Sequence, residues 1–311
     1  MRSETELRLE ELLAARLGGL DVLPRKLLRR DAPGGLAIPG IFSANGACRL
    51  LPTLDGWLAL NLARPDDIDL VNALTGASGD PWPALVPYCA RRLSAELRDR
   101  AIELQLPVAM PGEALPLDLA PLSSATVPRR VLDLSALWAG PLCAGLLGRS
   151  GARVVRIESI GRPDPTPDGS PKLDAFVNRG KFRLPLDLRE VDGRKRLLDE
   201  VANCNVLVTS ARPAALARLG LEPDMLAHLT WVAITAHGFT GPAGARVGFG
   251  DDCAVAGGLF EYCADTPRFL GDALSDPLTG LEAARAVLSG RTGLIDIPMA
   301  RVAAAYAAML A

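Results

Sequence analysis

The spacing of apolar positions changes near residue 130, and the change divides the chain into two regions of different structure. In residues 4–20, Leu7, Leu9, Leu12, Leu13 and Leu17 recur with charged residues between them, which predicts an amphipathic helix. Residues 29–40, RRDAPGGLAIPG, are rich in Pro and Gly and read as a connection. Apolar runs at 49–51 and 57–62 flank Asp55-Gly56, a hairpin signal. Asp66 and Asp67 are placed to cap a following helix, and residues 90–104 form a further helical run. The stretch 110–128 is dense in Pro and small residues. A domain boundary is expected there, with a small α+β domain over 1–125 and a second domain over 126–311.

Beyond this stretch, short apolar runs alternate with helical ones. Strands are expected at 131–134, 153–157, 205–208 and 231–235, with helices at 141–149, 193–202 and 213–219. The alternation predicts an α/β fold, a Rossmann-like open parallel sheet with helices on both faces. Such a sheet binds ligands at the carboxyl ends of its strands.

Composition excludes several classes of partner. With 49% apolar residues, 23% charged residues and a net charge of −2, the chain is globular, without a general attraction to nucleic acid or anionic membranes. Six cysteines are scattered with no CxxC pair, which reads as buried thiols in a reducing compartment. The charged N-terminus lacks the apolar core of a signal peptide, and no apolar run approaches the roughly 18 residues that span a bilayer, so a cytoplasmic protein is expected. The two histidines, His228 and His237, sit in no ligand pattern with Cys or carboxylates, and no GxSxG elbow accompanies them. Neither a metal site nor a prosthetic group is expected.

Candidate chemistry concentrates after residue 130. The first strand-to-helix turn runs from Ser135 to Pro141, and Pro at a first helical position leaves backbone N–H groups free for phosphate or thioester oxygens. An ordinary βα turn has the same composition. The turn is not GxGxxG, so a nicotinamide dinucleotide loses its main support. Glu158 ends the second strand, where an acid meets either a ribose hydroxyl or solvent. Arg179, Lys181, Arg183 and Arg189 fall within twelve residues, and Arg212 and Arg218 follow near another strand end. Converging cations suit a ligand with several phosphates, and a solvated charged edge looks alike in sequence. The glycines of the turns at 238–242 and 244–252 let the backbone approach a ligand or adopt φ > 0, and a surface loop has the same composition. The sharpest feature is Asp276-Pro277 ahead of an Ala-rich helical run, an N-cap signature in which Ser275 can share the capping. The same carboxylate, with an ordinary pKa of about 3.9, is an ionised nucleophile at neutral pH that needs no general base.

Taken in order, these segments resemble the family III CoA-transferases, the CaiB/BaiF-like group that includes formyl-CoA transferase, carnitine CoA-transferase and the α-methylacyl-CoA racemases. VLDLSALWAGP resembles the opening strand and turn, ARVVRIES the second strand, and NRGKFRLPLDLRE the Asn/Arg/Lys segment with its strand. VLVTSARPAALARLGL, ITAHGFTGP and RVGFGDDCAVAGGL follow in the family's order, and SDPLTGLEAARAVL and RTGLIDIPMARV complete it, over about residues 131–302. The resemblance implies Asp276 as the nucleophile, in step with Gly280, with Asp272 as the fallback. It implies that Leu137, Trp138 and Ala139 contact the CoA chain, that Leu186, Leu188 and Arg189 line its nucleotide end, and that Arg218 binds phosphate. Three positions depart from the family: Ser159 replaces a basic residue that stacks on adenine, Ser210-Ala211 replaces an Asn-Phe pair, and Phe249 stands where racemases carry His.

The resemblance further implies an enzyme that moves CoA between an acyl-CoA thioester and a carboxylic acid through an aspartyl anhydride and an aspartyl-CoA thioester. Coenzyme A and acyl-CoA are substrates, no prosthetic group is needed, and a homodimer is implied. The first region, with its CRLLPTLDGWLALNLARPDD hairpin, resembles the family's small domain placed first, as in a circular permutation. Two alternatives stay open: a racemase or epimerase of α-methylacyl-CoA, and a CoA-binding member without catalysis.

Overall fold

The computed structural model describes residues 3–20, 22–32, 34–121 and 126–311. The expected boundary between 125 and 126 lies against residues 122–125, outside the described residues.

Strands β1 (Cys48–Pro52), β2 (Trp57–Asn61) and β3 (Val108–Ala109) form an antiparallel sheet in the order β1-β2-β3. The Asp55-Gly56 turn joins β1 to β2 as expected, with Cys48 opposite Asn61 and Pro52 opposite Trp57. β4 (Arg130–Leu134), β5 (Arg153–Ser159), β6 (Phe182–Leu186), β7 (Val206–Thr209), β8 (Thr230–Thr235) and β11 (Leu294–Pro298) form a six-stranded sheet in the order β11-β8-β7-β4-β5-β6. Every pairing in it is parallel. β9 (Phe260–Cys263) and β10 (Thr266–Phe269) make a separate hairpin. Strand order reverses between β4 and β7, and that crevice is where an open parallel sheet takes its ligand.

Both faces of the large sheet are apolar, which explains the near-continuous hydrophobic runs of its strands. Val131, Val206, Val208, Val232 and Ile234 join one core, while Leu132, Leu207, Trp231 and Ala233, the residues between them, join the other. The first core takes in the helices Ala139–Arg149, Ser275–Leu288 and Met299–Leu310; the second takes in Leu197, Val201 and Leu216 from the opposite face. Leu9, Leu13 and Leu17 of the N-terminal helix Glu4–Leu17, with Cys48, Leu50 and Ala59 of β1 and β2, also belong to the first core. A third core, within the first region, holds Leu51, Leu58, Leu60, Val71 and Leu97. The hairpin strands therefore pack on both sides, one face on their own helices and the other on the large sheet's.

Several local expectations are corrected. Asp66 and Asp67 do not cap: the helix Asp66–Thr75 has Pro65 at its N-cap, and Asp67 lies in the first turn, where it binds the Arg64 guanidinium at 2.6 Å. Pro141 is not the first helical residue, because the helix begins at Ala139. Five cysteines are buried, but Cys263 is exposed. Among the described residues, no helix is long and apolar enough to cross a membrane.

Candidate active site

Asp276 lies inside the first turn of the helix Ser275–Leu288, whose N-cap is Leu274, and its side chain does not cap that helix. Ser275 does not cap it either; its hydroxyl is buried without a hydrogen-bond partner. The backbone N–H of Ala139, the first residue of the helix after β4, lies near enough to the Asp276 carboxylate to favour its charged form. The close approach of the two helices brings the two groups together. Gly280 is the reason they can approach: a Cβ there would sit 2.6 Å from the Ala139 carbonyl oxygen and 2.9 Å from Leu142 Cβ. Gly250 plays the same part on the other side, since a Cβ there would lie 2.2 Å from Asp276 Oδ2.

Asp276 borders a cavity of about 320 Å³ whose wall also includes Leu137, Trp138, Phe249, Asp251 and, from the first region, Arg30, Asn45 and Asn61. Leu137 adopts a left-handed backbone conformation, φ 67°, and its N–H donates to Asp164 Oδ2 at 3.0 Å. That bond holds the turn after β4 open at the carboxyl end of the sheet. Trp138 is buried, its indole N–H has no partner, and the Arg30 guanidinium lies 5.8 Å from its ring centroid. Ala136 N–H donates to Ser210 Oγ at 3.0 Å, bridging the β4–β7 crevice.

Four acids crowd this site. Asp272 pairs with Arg30, with Nη2 to Oδ1 at 3.0 Å and the Arg30 backbone N–H to Oδ2 at 3.0 Å. Asp251 accepts the Ala273 N–H at 2.9 Å. Asp252 accepts Asn61 Nδ2 at 2.8 Å and Phe249 N–H at 2.9 Å. Burial is the main cause of their weak acidity, raising Asp276 to about 7, Asp251 to about 6 and Asp252 to about 7. Arg30 draws Asp276 and Asp251 back down, while the neighbouring carboxylates push them up. This corrects the expectation of a fully ionised Asp276 at neutral pH.

The other expected residues are placed apart from this cavity. Leu186 is buried at the end of β6, and Leu188 packs against the second apolar core. Arg189 is exposed and clasps Asp187 at 2.6 Å, reaching across the end of β5, where a Cβ on Gly161 would lie 2.7 Å from its Nε. Arg218 is exposed at the end of the short helix Pro213–Ala217. The cations of 178–189 do not converge. Lys181 is buried against Asp133 at 2.7 Å and the Pro141 carbonyl at 2.7 Å, and Arg183 bridges Glu158 and Asp174 at 2.6 and 2.8 Å. Glu158 is thus paired with a cation and not simply solvated.

The polar wall supplied by Arg30, Asn45 and Asn61 had no signal in the sequence, because the residues belong to a region without a motif and meet Asp276 only through the fold. The fold also brings His237, Asp252 and Cys253 together, with potential ligand atoms within 4.8 Å of one another, although their spacing in sequence gave no ligand pattern.

Comparison with known proteins places this geometry. Residues 129–306 match the sequence profile of CoA-transferase family III. A succinyl-CoA:glutarate CoA-transferase of Homo sapiens is 30% identical over 175 residues, which are 52% of this chain and 40% of that protein. An acyl-CoA transferase of Fusarium pseudograminearum is 30% identical over 182 residues, 51% of this chain and 40% of that one. The chain thus covers about two fifths of these relatives' length. Among solved structures, the Rv3272 protein of Mycobacterium tuberculosis superposes with a TM-score of 0.51 at 27% identity, covering 58% of this chain and 57% of that one. A CAIB/BAIF family protein of Brucella suis gives a TM-score of 0.53 at 25% identity over 58% and 55%. The profile spans more than half of the chain: the chain belongs to CoA-transferase family III.

Proposed function

We propose that the protein moves CoA between an acyl-CoA thioester and a carboxylic acid, with Asp276 as the nucleophile. One observation carries the reading: the Asp276 carboxylate does not cap its own helix and borders the cavity at the carboxyl edge of the sheet. An oxygen of ionised Asp276 attacks the thioester carbonyl, the C–S bond breaks, and CoA leaves as thiolate. The thiolate attacks the Asp276 carbonyl of the resulting anhydride, forming an aspartyl-CoA thioester and releasing the donor acid. The acceptor carboxylate then attacks that thioester and expels the thiolate. Attack of the thiolate on the acceptor's acyl carbonyl yields the new acyl-CoA and restores Asp276. The Ala139 N–H, which already favours the charged carboxylate, is the donor for the oxyanion that forms on the Asp276 carbonyl. On this reading the nucleotide end of CoA lies along Leu186, Leu188, Arg189 and Arg218, and the working unit is a cytoplasmic homodimer.

Hydroxylamine added during turnover traps an activated carboxylate. The expected result is a single hydroxamate at Asp276 and a fall in transfer of at least about a thousandfold in Asp276→Ala. Turnover without any labelled carboxylate rejects the mechanism, and CoA binding without transfer in the wild type supports a member that only binds CoA.

Proton transfer at Cα has one observation in its favour, the weakly acidic Asp251 on the same cavity wall. Racemisation needs two groups on opposite sides of Cα. Asp251 acts on Asp276 as a like charge, and Phe249 accepts no proton. Deuterium entering the Cα position of a 2-methylacyl-CoA in heavy water, at a rate matching transfer, is the result that favours this second reading.

A further inference from the structure

We propose that the first region carries the acceptor-acid subsite, in which Arg30 takes the carboxylate and Asn61 takes a hydroxyl group, so that hydroxy acids are preferred to their unsubstituted counterparts. The inference rests on Asp276 being the nucleophile. Both residues lie outside the span 129–306 that matches the family, and both line the cavity that Asp276 borders.

Arg30 is fixed in place by its neighbour. Asp31 Oδ1 and Oδ2 accept the N–H groups of Leu173 and Lys172 at 2.9 and 3.1 Å, at the start of the helix Pro171–Val177, and the Asp31 carbonyl accepts Ser170 Oγ at 2.6 Å. The guanidinium is thereby held over Trp138 and against Asp272. Asn61 has only 1% of its surface exposed. Its Nδ2 is committed to Asp252, which fixes the amide orientation, and leaves Oδ1 as a buried acceptor without a partner. A carbonyl oxygen in that state is matched by an O–H donor and not by a methylene. At the mouth, Asn45 Oδ1 already accepts Ser43 Oγ at 2.8 Å and Ala47 N–H at 2.9 Å, so its amide NH₂ is the group left to donate. One cation, one amide donor and one buried acceptor around a small cavity match a carboxylate with a nearby hydroxyl.

Charge decides when the acid enters. Arg30 faces Asp272, Asp251 and Asp276, so an ionised Asp276 repels an incoming carboxylate. Once Asp276 carries an acyl group or CoA it is neutral, and the Arg30 guanidinium can accept a carboxylate beside the reactive carbonyl.

The full-length Asp276→Asn chain reproduces that neutral state without chemistry. Titration calorimetry compares butanoate with 2-hydroxybutanoate and 3-hydroxybutanoate. At least one hydroxy acid is expected to bind about tenfold more tightly or better. Adding Asn61→Ala narrows the difference below about threefold, and adding Arg30→Gln weakens all three acids by about tenfold or more. Should Asp276→Asn not fold, the wild type at about pH 5, where Asp276 is protonated, serves instead. Equal binding of butanoate and both hydroxy acids, no detectable binding of any, or a preference that survives Asn61→Ala overturns the proposal. Hydroxylamine labelling with acyl-CoA alone reports separately on the nucleophile: loss of the label with the preference intact rejects the mechanism and keeps the subsite.

Discussion

At the scale of single residues, the site depends on what burial does to one carboxylate. Asp276 is raised to about 7 chiefly by desolvation, so its nucleophilic form gains population as pH climbs from 5 to 8. The expected kcat/KM rises about tenfold per pH unit on the acid side and levels above about pH 7; a flat profile between pH 5 and 8 contradicts a nucleophile with this environment. The stability consequence has the opposite sign. A carboxyl group that holds its proton more tightly when folded favours the folded state below about pH 4, and that advantage is lost as pH rises through the folded value near 7. Asp276→Asn removes the cost of the buried charge. It is expected to stabilise the chain by about 1–3 kcal/mol at pH 8 with no gain near pH 4, read from urea midpoints at the two pH values. The sequence singled out Asp276 as a candidate but not its environment. Asp-Pro before a helical run looks like a cap in any chain, and the surroundings of this carboxylate are set by Arg30, Asp251 and Ala139, all distant from it in sequence or in a separate element.

Elements were more legible than side chains, for a physical reason. Strands buried on both faces are mostly apolar, so β4, β5, β7 and β8 stand out as short, largely β-branched or aliphatic runs and differ from expectation by one or two residues at their ends. β6 tolerates Pro185 because it is an edge strand, and it was visible only through the family resemblance. The hairpin of β9 and β10, whose strand β9 is largely exposed, lacks such a run and was not expected. The small residues that let helices meet were legible as glycines but not as contacts. Gly280 is the test. Gly280→Ala drives a methyl into the Ala139 carbonyl and Leu142, which forces the two helices apart and moves the Ala139 N–H away from Asp276. Unfolding is expected to cost about 2–4 kcal/mol less, with transfer reduced further than stability alone explains. Gly40→Ala, with nothing within 4 Å of the added carbon, serves as the control and should change stability by less than about 0.5 kcal/mol.

For the whole molecule, the question is how a region outside the family match is held tightly enough to form one wall of the site. Beyond the shared apolar core, a buried polar link joins the N-terminal helix to the helix that carries Asp276. Arg16 forms a bidentate ion pair with Glu282, Nε to Oε1 at 2.8 Å and Nη2 to Oε2. Glu282 in turn accepts the Tyr306 hydroxyl at 2.7 Å, and the Arg16 carbonyl accepts Arg285 Nη1 at 2.7 Å. Glu282 is 1% exposed, so its charge depends on Arg16 for compensation. Arg16→Met leaves that charge buried and unpaired, at an expected cost of about 3–5 kcal/mol. Arg16→Met with Glu282→Met replaces both charges by apolar groups of similar length and should recover most of the loss, because the desolvation of two ions then disappears along with their attraction. Urea unfolding followed separately by tryptophan fluorescence, reporting on Trp57 and Trp82 of the first region as well as Trp138 and Trp231 of the second, and by far-ultraviolet circular dichroism distinguishes the outcomes. Coincident transitions in the wild type and a destabilised single variant rescued by the double one are expected. If the first region instead melts earlier than the sheet and Arg16→Met shifts only that early step, the two regions are independent units, and the wall that Arg30 and Asn61 provide is held only by its local contacts.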